Sequence, residues 1–234
     1  EGHNEEETSI TAQHQVQLPE AKKADLARWQ KSFVETQTEE EQKNVLDSLQ
    51  TLWLGINRLD SAAHYWNMFY EKYPNQGNLL STANAYYEAY SFAMDEGKTN
   101  SLRKKAQNLF QKALETNPDL LEAKVKLGVT YVAEAPMKGV GMIREVLEKD
   151  PNNITAIYNL GLLSMQSGQF DKAVTRFEKL IELEKDNLNH YLYLGISQMQ
   201  AGKKEAARKS FEHVKSNSSD PQLTKVVTDY LGQL

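Results

Sequence analysis

Residues 154–187 read ITAIYNLGLLSMQSGQFDKAVTRFEKLIELEKDN. Apolar residues recur at helical spacing on both sides of the short polar stretch around Gly168, which predicts helix, tight turn, helix. The marks of this 34-residue unit are Ile157, Leu160-Gly161, Gly168, Ala173, Phe177 and Ile181. The next 34 residues place Tyr191, Leu194-Gly195, Gly202, Ala207 and Phe211 at the same offsets. A unit that recurs in this way is one repeat of an array, and each repeat covers the face its neighbour would leave exposed. Arrays of this kind work as binding surfaces, so the pattern points to recognition of a partner rather than to chemistry.

Working outward, the same phase holds over residues 43–76, 77–120, 121–153, 154–187 and 188–221. The first copy offers Leu46, Leu49, Trp53, Ala62, Trp66 and Pro74, and the second offers Leu80, Ala83, Tyr87, Ala106, Phe110 and Pro118. The third has Leu127-Gly128, Tyr131, Gly139, Ile143 and Pro151, while Lys185 and Ser219 replace the closing proline in the last two. With these residues residues 43–221 resemble the tetratricopeptide repeat (TPR) family. The resemblance implies an all-α, right-handed TPR superhelix (an α-solenoid) of five helix-turn-helix repeats. Small residues such as Gly161 and Ala173 let backbones approach, and Phe177 and Leu160 fill the space between units.

The flanks extend the array. Residues 1–17 are polar and acidic, with Ile10 and Val16 as their sizeable aliphatics, and are expected to form a flexible tail. Residues 18–42 place Leu26, Trp29, Phe33 and Val34 at helical spacing after Pro19, as in one amphipathic helix. Residues 222–234 put Leu223, Val226, Val227, Tyr230 and Leu231 on one side of a capping helix. Two irregularities interrupt the repeats. The second is ten residues longer than 34, which predicts a prolonged first helix and a loop around Asp95 to Asn100. The third carries Gly139 and Gly141 inside its second helix; Gly139 sits at the small-residue position, whereas Gly141 has no packing role and marks a candidate hinge.

Composition removes several function classes. The sequence has no cysteine, hence no disulfide, zinc ribbon or thiol catalysis. Of the net charge of −5, residues 1–42 contribute ten acidic and four basic side chains, and the remainder holds 22 acidic and 23 basic, so no field for nucleic acid is expected. No apolar run is long enough for a membrane span. The five histidines, His3, His14, His64, His190 and His213, form no metal pair at helical spacing, and HExxH, GxSxG, GxxxxGK[ST] and GxGxxG are absent. The expectation is a protein that is not an enzyme and uses no cofactor and no metal.

The family resemblance implies where a partner would lie. In such repeats the first helix of each unit lines the concave groove, at unit positions 2, 5, 9, 12 and 13. Those positions are Glu122, Val125, Val129, Val132 and Ala133 in the third repeat, and Thr155, Tyr158, Leu162, Met165 and Gln166 in the fourth. The fifth supplies Asn189, Leu192, Ile196, Met199 and Gln200. The implied groove is mainly apolar and suits a helical or extended apolar segment of a protein or peptide partner. Self-association through the same groove, giving a homo-oligomer, is the alternative. The carboxylate clamp known from this family is not expected, because Asn159 alone matches its pattern while Val125, Val129, Asn189 and Tyr193 depart from it. The wording of DSAAHYW and PMKGVGMIREVLEKDPNN is similar to bacterial TPR proteins tethered to the cell envelope. With a start at Glu1 rather than Met, this implies an extracytoplasmic setting behind a removed or anchoring segment.

Overall fold

The structure, a computed structural model, describes residues 20–234. The expected acidic tail lies outside the described residues. Among the described residues there are twelve helices and no strand, and they divide into two compact units, residues 1–117 and 118–234.

In the first unit, α1 (Glu20–Glu35) packs on α2 (Glu39–Leu54), which pairs with α3 (Leu59–Lys72); α4 (Gln76–Phe92) follows and pairs with α5 (Glu96–Thr116). Thr38 starts α2 as a capping box: its hydroxyl accepts from the Glu41 amide at 3.3 Å and donates to the Glu41 carboxylate at 2.8 Å. Glu39, Glu40 and Glu41 sit in that first turn, where the helix dipole favours them. On α1, Phe33 is buried and meets Tyr65 edge to face at 5.2 Å, and its carbonyl accepts from the Gln42 side chain. Val34, expected on the same face, is instead exposed, because it follows Phe33 by one residue and so points about 100° away.

The prolonged second repeat differs from its expected form. Asp95 caps a helix rather than opening a loop, accepting from the Lys98 amide at 2.8 Å, so residues 96–100 form the first turn of α5. Lys98 then reaches back to Asp60 on α3, which Arg58 also contacts at 3.2 Å. Burial raises the Asp60 pKa, but the Lys98 hydrogen bond and the charges of Arg58 and Lys98 outweigh it and hold the group below the usual carboxylate value.

The second unit contains three helix pairs: α6 (Leu121–Val132) with α7 (Pro136–Lys149), α8 (Ile154–Gln166) with α9 (Phe170–Leu183), and α10 (Leu188–Gln200) with α11 (Lys204–Asn217). α12 (Pro221–Leu231) closes the unit against α11, with Pro221 in its first turn and Asp220 as cap. Val227 of α12 is fully buried, while its neighbour Val226 faces solvent rather than the cap's apolar side. Glycine determines how closely each pair packs. A Cβ on Gly161 would lie 2.9 Å from the Phe177 ring, and one on Gly195 would lie 2.6 Å from the Phe211 ring. In α6 and α7 two glycines face each other, since a Cβ on Gly139 would meet the Gly128 carbonyl oxygen at 2.4 Å. The first repeat has Gln50 at the glycine position and Trp66 at the aromatic one; their side chains hydrogen-bond at 2.8 Å instead of nesting.

Turns between paired helices use the left-handed region. Gly168 and Gly202 have φ of +70° and +75°, and Asn57, at the same place in the first repeat, has φ of +56°. Gly141 behaves differently from all of these: α7 runs through it unbroken, and a Cβ there would meet nothing within 4 Å. Gly141→Ala is therefore expected to raise stability by about 1 kcal/mol, by removing backbone entropy from the unfolded chain. Urea denaturation checks this. A loss of stability would mean that the residue serves as the hinge its sequence suggests.

Candidate partner-binding face

The residues at issue lie on α6, α8 and α10, the first helices of the three pairs in the second unit. Their helical repeat turns two kinds of side chain in different directions. Ala156, Ile157, Leu160 and Gly161 on α8 are buried, whereas Tyr158, Leu162 and Met165 are half-buried and rest on the cluster formed by Ile157, Ala173, Val174, Phe177, Leu180 and Leu194. On α10, Leu192, Ile196 and Met199 are likewise half-buried, packed on a cluster of Ala207, Phe211, Val214 and Val227. Val129 on α6 is half-buried against the cluster containing Ile143 and Leu160, and Val132 borders Gly139. Each of these side chains has one side in the core and the other in solvent.

Polar groups frame this row. Thr155 donates to Glu122 at 2.6 Å, tying the starts of α8 and α6 together, and Asn189 is exposed at the start of α10. Gln166, Gln200 and Ala133 are exposed at the other ends of the helices. Val125 is a correction. It is fully buried among Ile143, Val146, Ala156 and Leu160, so it belongs to the core and presents nothing to a partner. The cause lies in the third repeat's glycine pair: with Gly128 against Gly139, α7 approaches α6 closely enough to close over Val125. Tyr158 and Leu192, at the same unit position, escape this because their repeats place a phenylalanine ring against the glycine.

An aromatic group at the centre of the row was not read from the sequence. Tyr158 meets Tyr193 edge to face at 5.7 Å and Phe177 at 6.3 Å, and Tyr193 stacks on Phe177 at 5.5 Å. Burial, and then the hydrogen bond and charge of Tyr193, push the Tyr158 phenol well above its ordinary value, so it stays protonated. His190, also buried, lies beside Tyr158, with Nε2 2.7 Å from the Glu184 carboxylate and with no partner for Nδ1. The hydrogen bonds from His190 and then Asn187 hold Glu184 below the usual carboxylate range. A signal was present: His190 stands 34 residues after Ala156, so an imidazole replaces a methyl group at a buried position. Among the described residues no group of His, Asp and Glu could hold a metal ion, and no helix is long and apolar enough to cross a membrane.

Residues 154–187 and 191–220 each match a family profile described as tetratricopeptide repeat. The chain is a tetratricopeptide repeat protein. No curated protein matches the sequence. Among solved structures, the TPR protein resembles a tetratricopeptide repeat protein from Parabacteroides merdae, with a TM-score of 0.60 and 17% identity over 91% of this chain and 86% of the other. It also resembles MamA, with a TM-score of 0.52 and 19% identity over 72% of this chain and 94% of the other. A MamA from Desulfovibrio magneticus gives a TM-score of 0.52 at 16% identity, over 74% and 93%. At such identities the likeness of these TPR proteins to the present one is one of fold alone.

Proposed function

We propose that this TPR protein is a non-catalytic scaffold that binds a helical or extended apolar segment of a protein partner in the groove lined by α6, α8 and α10. The supporting observation is the row Val129, Leu162, Met165, Leu192, Ile196 and Met199, large aliphatic side chains left half-exposed along repeat-equivalent helices. Soluble chains rarely keep such a row without using it, and methionines let it adapt to a partner's shape. The extracytoplasmic setting belongs to the same proposal and rests on the wording of the repeats.

A photo-cross-linking side chain placed at Met165 or Met199 tests the reading in cells, with Glu182, exposed on α9, as the control position. Cross-links of one defined mass are expected from the two methionine positions and not from Glu182. They should fall at least about tenfold when Leu162 and Ile196 are both replaced by Glu, since a buried carboxylate costs several kcal/mol. A product at twice the chain's mass would assign the groove to self-association. Equal cross-linking at Glu182 would remove the face from consideration.

A further inference from the structure

The second helices of the third and fourth repeats carry a feature that this groove does not use. Arg176 on α9 is half-buried, and its Nη1 donates to the hydroxyl of Ser164, which is itself buried and donates to the Leu160 carbonyl at 2.8 Å. Ser164 fixes the guanidinium without neutralising it. Burial first, and then the positive charge of Arg144 on α7, make Arg176 a poorer base-bound cation than an arginine in water, with its pKa below the ordinary value. The two helices hang on one core, because Leu147, one turn beyond Arg144, packs on the cluster containing Ala173, Val174 and Phe177 of α9.

The acidic residues near this pair are engaged elsewhere or stand apart. Glu145 holds Lys124, Glu182 is 3.2 Å from Lys179, Asp171 is 2.7 Å from Lys203, and Glu148 and Glu178 form an ion pair with neither arginine. Arg144 is exposed and has no carboxylate partner. Two adjacent guanidinium groups, one of them partly desolvated and oriented, oppose each other unless an anion lies between them, and their planar donors match the oxygens of a carboxylate or a phosphate.

We propose that Arg144 and Arg176, with Ser164 positioning the latter, form a receptor for a single oxyanion, a carboxylate or a phosphate group, on the second-helix side of the C-terminal unit. The site is independent of the groove on α6, α8 and α10 and stands whether or not that groove binds a segment. It supplies charge recognition where the groove supplies apolar contact.

Side-chain nitrogen NMR of the full chain tests it, with sodium phosphate and sodium acetate as separate probes, titrated against sodium chloride at constant ionic strength. The Arg176 Nε–H signal is expected to move saturably with one of the probes, by about fivefold more than that of Arg58, whose guanidinium is already paired with Asp60. Arg144→Gln should abolish the saturable part; since Arg144 is exposed, the variant is expected to fold. Saturation with acetate assigns a carboxylate ligand, and saturation with phosphate alone assigns a phosphorylated one. Equal, unsaturated movement at Arg176 and Arg58, or an unchanged response in Arg144→Gln, overturns the site.

Discussion

Phe177→Ala is expected to lower the stability of the C-terminal unit by about 4 kcal/mol, enough to unfold a large fraction of it at physiological temperature. The ring is fully buried, lies over Gly161, stacks on Tyr193 and meets Tyr158 edge to face, so it joins α8, α9 and α10 at one point. Truncation removes the transfer free energy of the ring and leaves a cavity. Gly161 has no side chain to fill that cavity, and backbone on the other side of it cannot collapse freely. Denaturant titration of the variant should show a lower midpoint, with loss of cooperativity between the helix pairs because the interface itself is weakened. A cost under about 1 kcal/mol would show that Tyr158 and Tyr193 close the gap on their own.

Gly139→Ala should cost about 3 kcal/mol, an unusually large effect for the addition of one methyl group. Its Cβ would lie 2.4 Å from the Gly128 carbonyl oxygen and 2.9 Å from the Val132 amide nitrogen. Both are backbone atoms, and neither can rotate aside as a flexible side chain could. The methyl group must therefore push α7 off α6 and disturb the packing that buries Val125 and Ile143. The same substitution two residues on, at Gly141, is expected to stabilise, so the opposite signs of the pair separate helix propensity from packing. A thermal melt of both variants against the parent reads the difference directly.

The fold was legible because its determinants are local and periodic. Gly161, Gly195, Phe177 and Phe211 carry the packing between paired helices, and their 34-residue recurrence announces both the element type and the pairing. Asp220-Pro221 and the Thr38 to Glu41 run likewise mark helix starts by chemistry that acts within one turn. Legibility failed where one repeat departs from the others. Val125 shares its position with Tyr158 and Leu192, yet the Gly128 to Gly139 approach buries it, and that distance is a property of two helices rather than of a position. The Asp95 to Asn100 stretch looked like a loop because it is polar, although Asp95 has the side chain of a helix cap. His190 was read as an ordinary surface or packing histidine; its burial against Glu184 follows from its place in the array, not from its neighbours in sequence.

The claim that organises the functional reading is that Leu162 and Ile196 belong to a face available to a partner while contributing only part of their surface to the core. Far-UV circular dichroism of the Leu162→Glu, Ile196→Glu double variant, followed through a thermal melt, tests it most directly. Each glutamate can turn its carboxylate toward solvent from a half-buried site, so the helical signal should be unchanged and the melting temperature should fall by only several degrees, for a combined cost of about 2 kcal/mol. Loss of the helical signal at room temperature would instead place both residues in the core and contradict the groove.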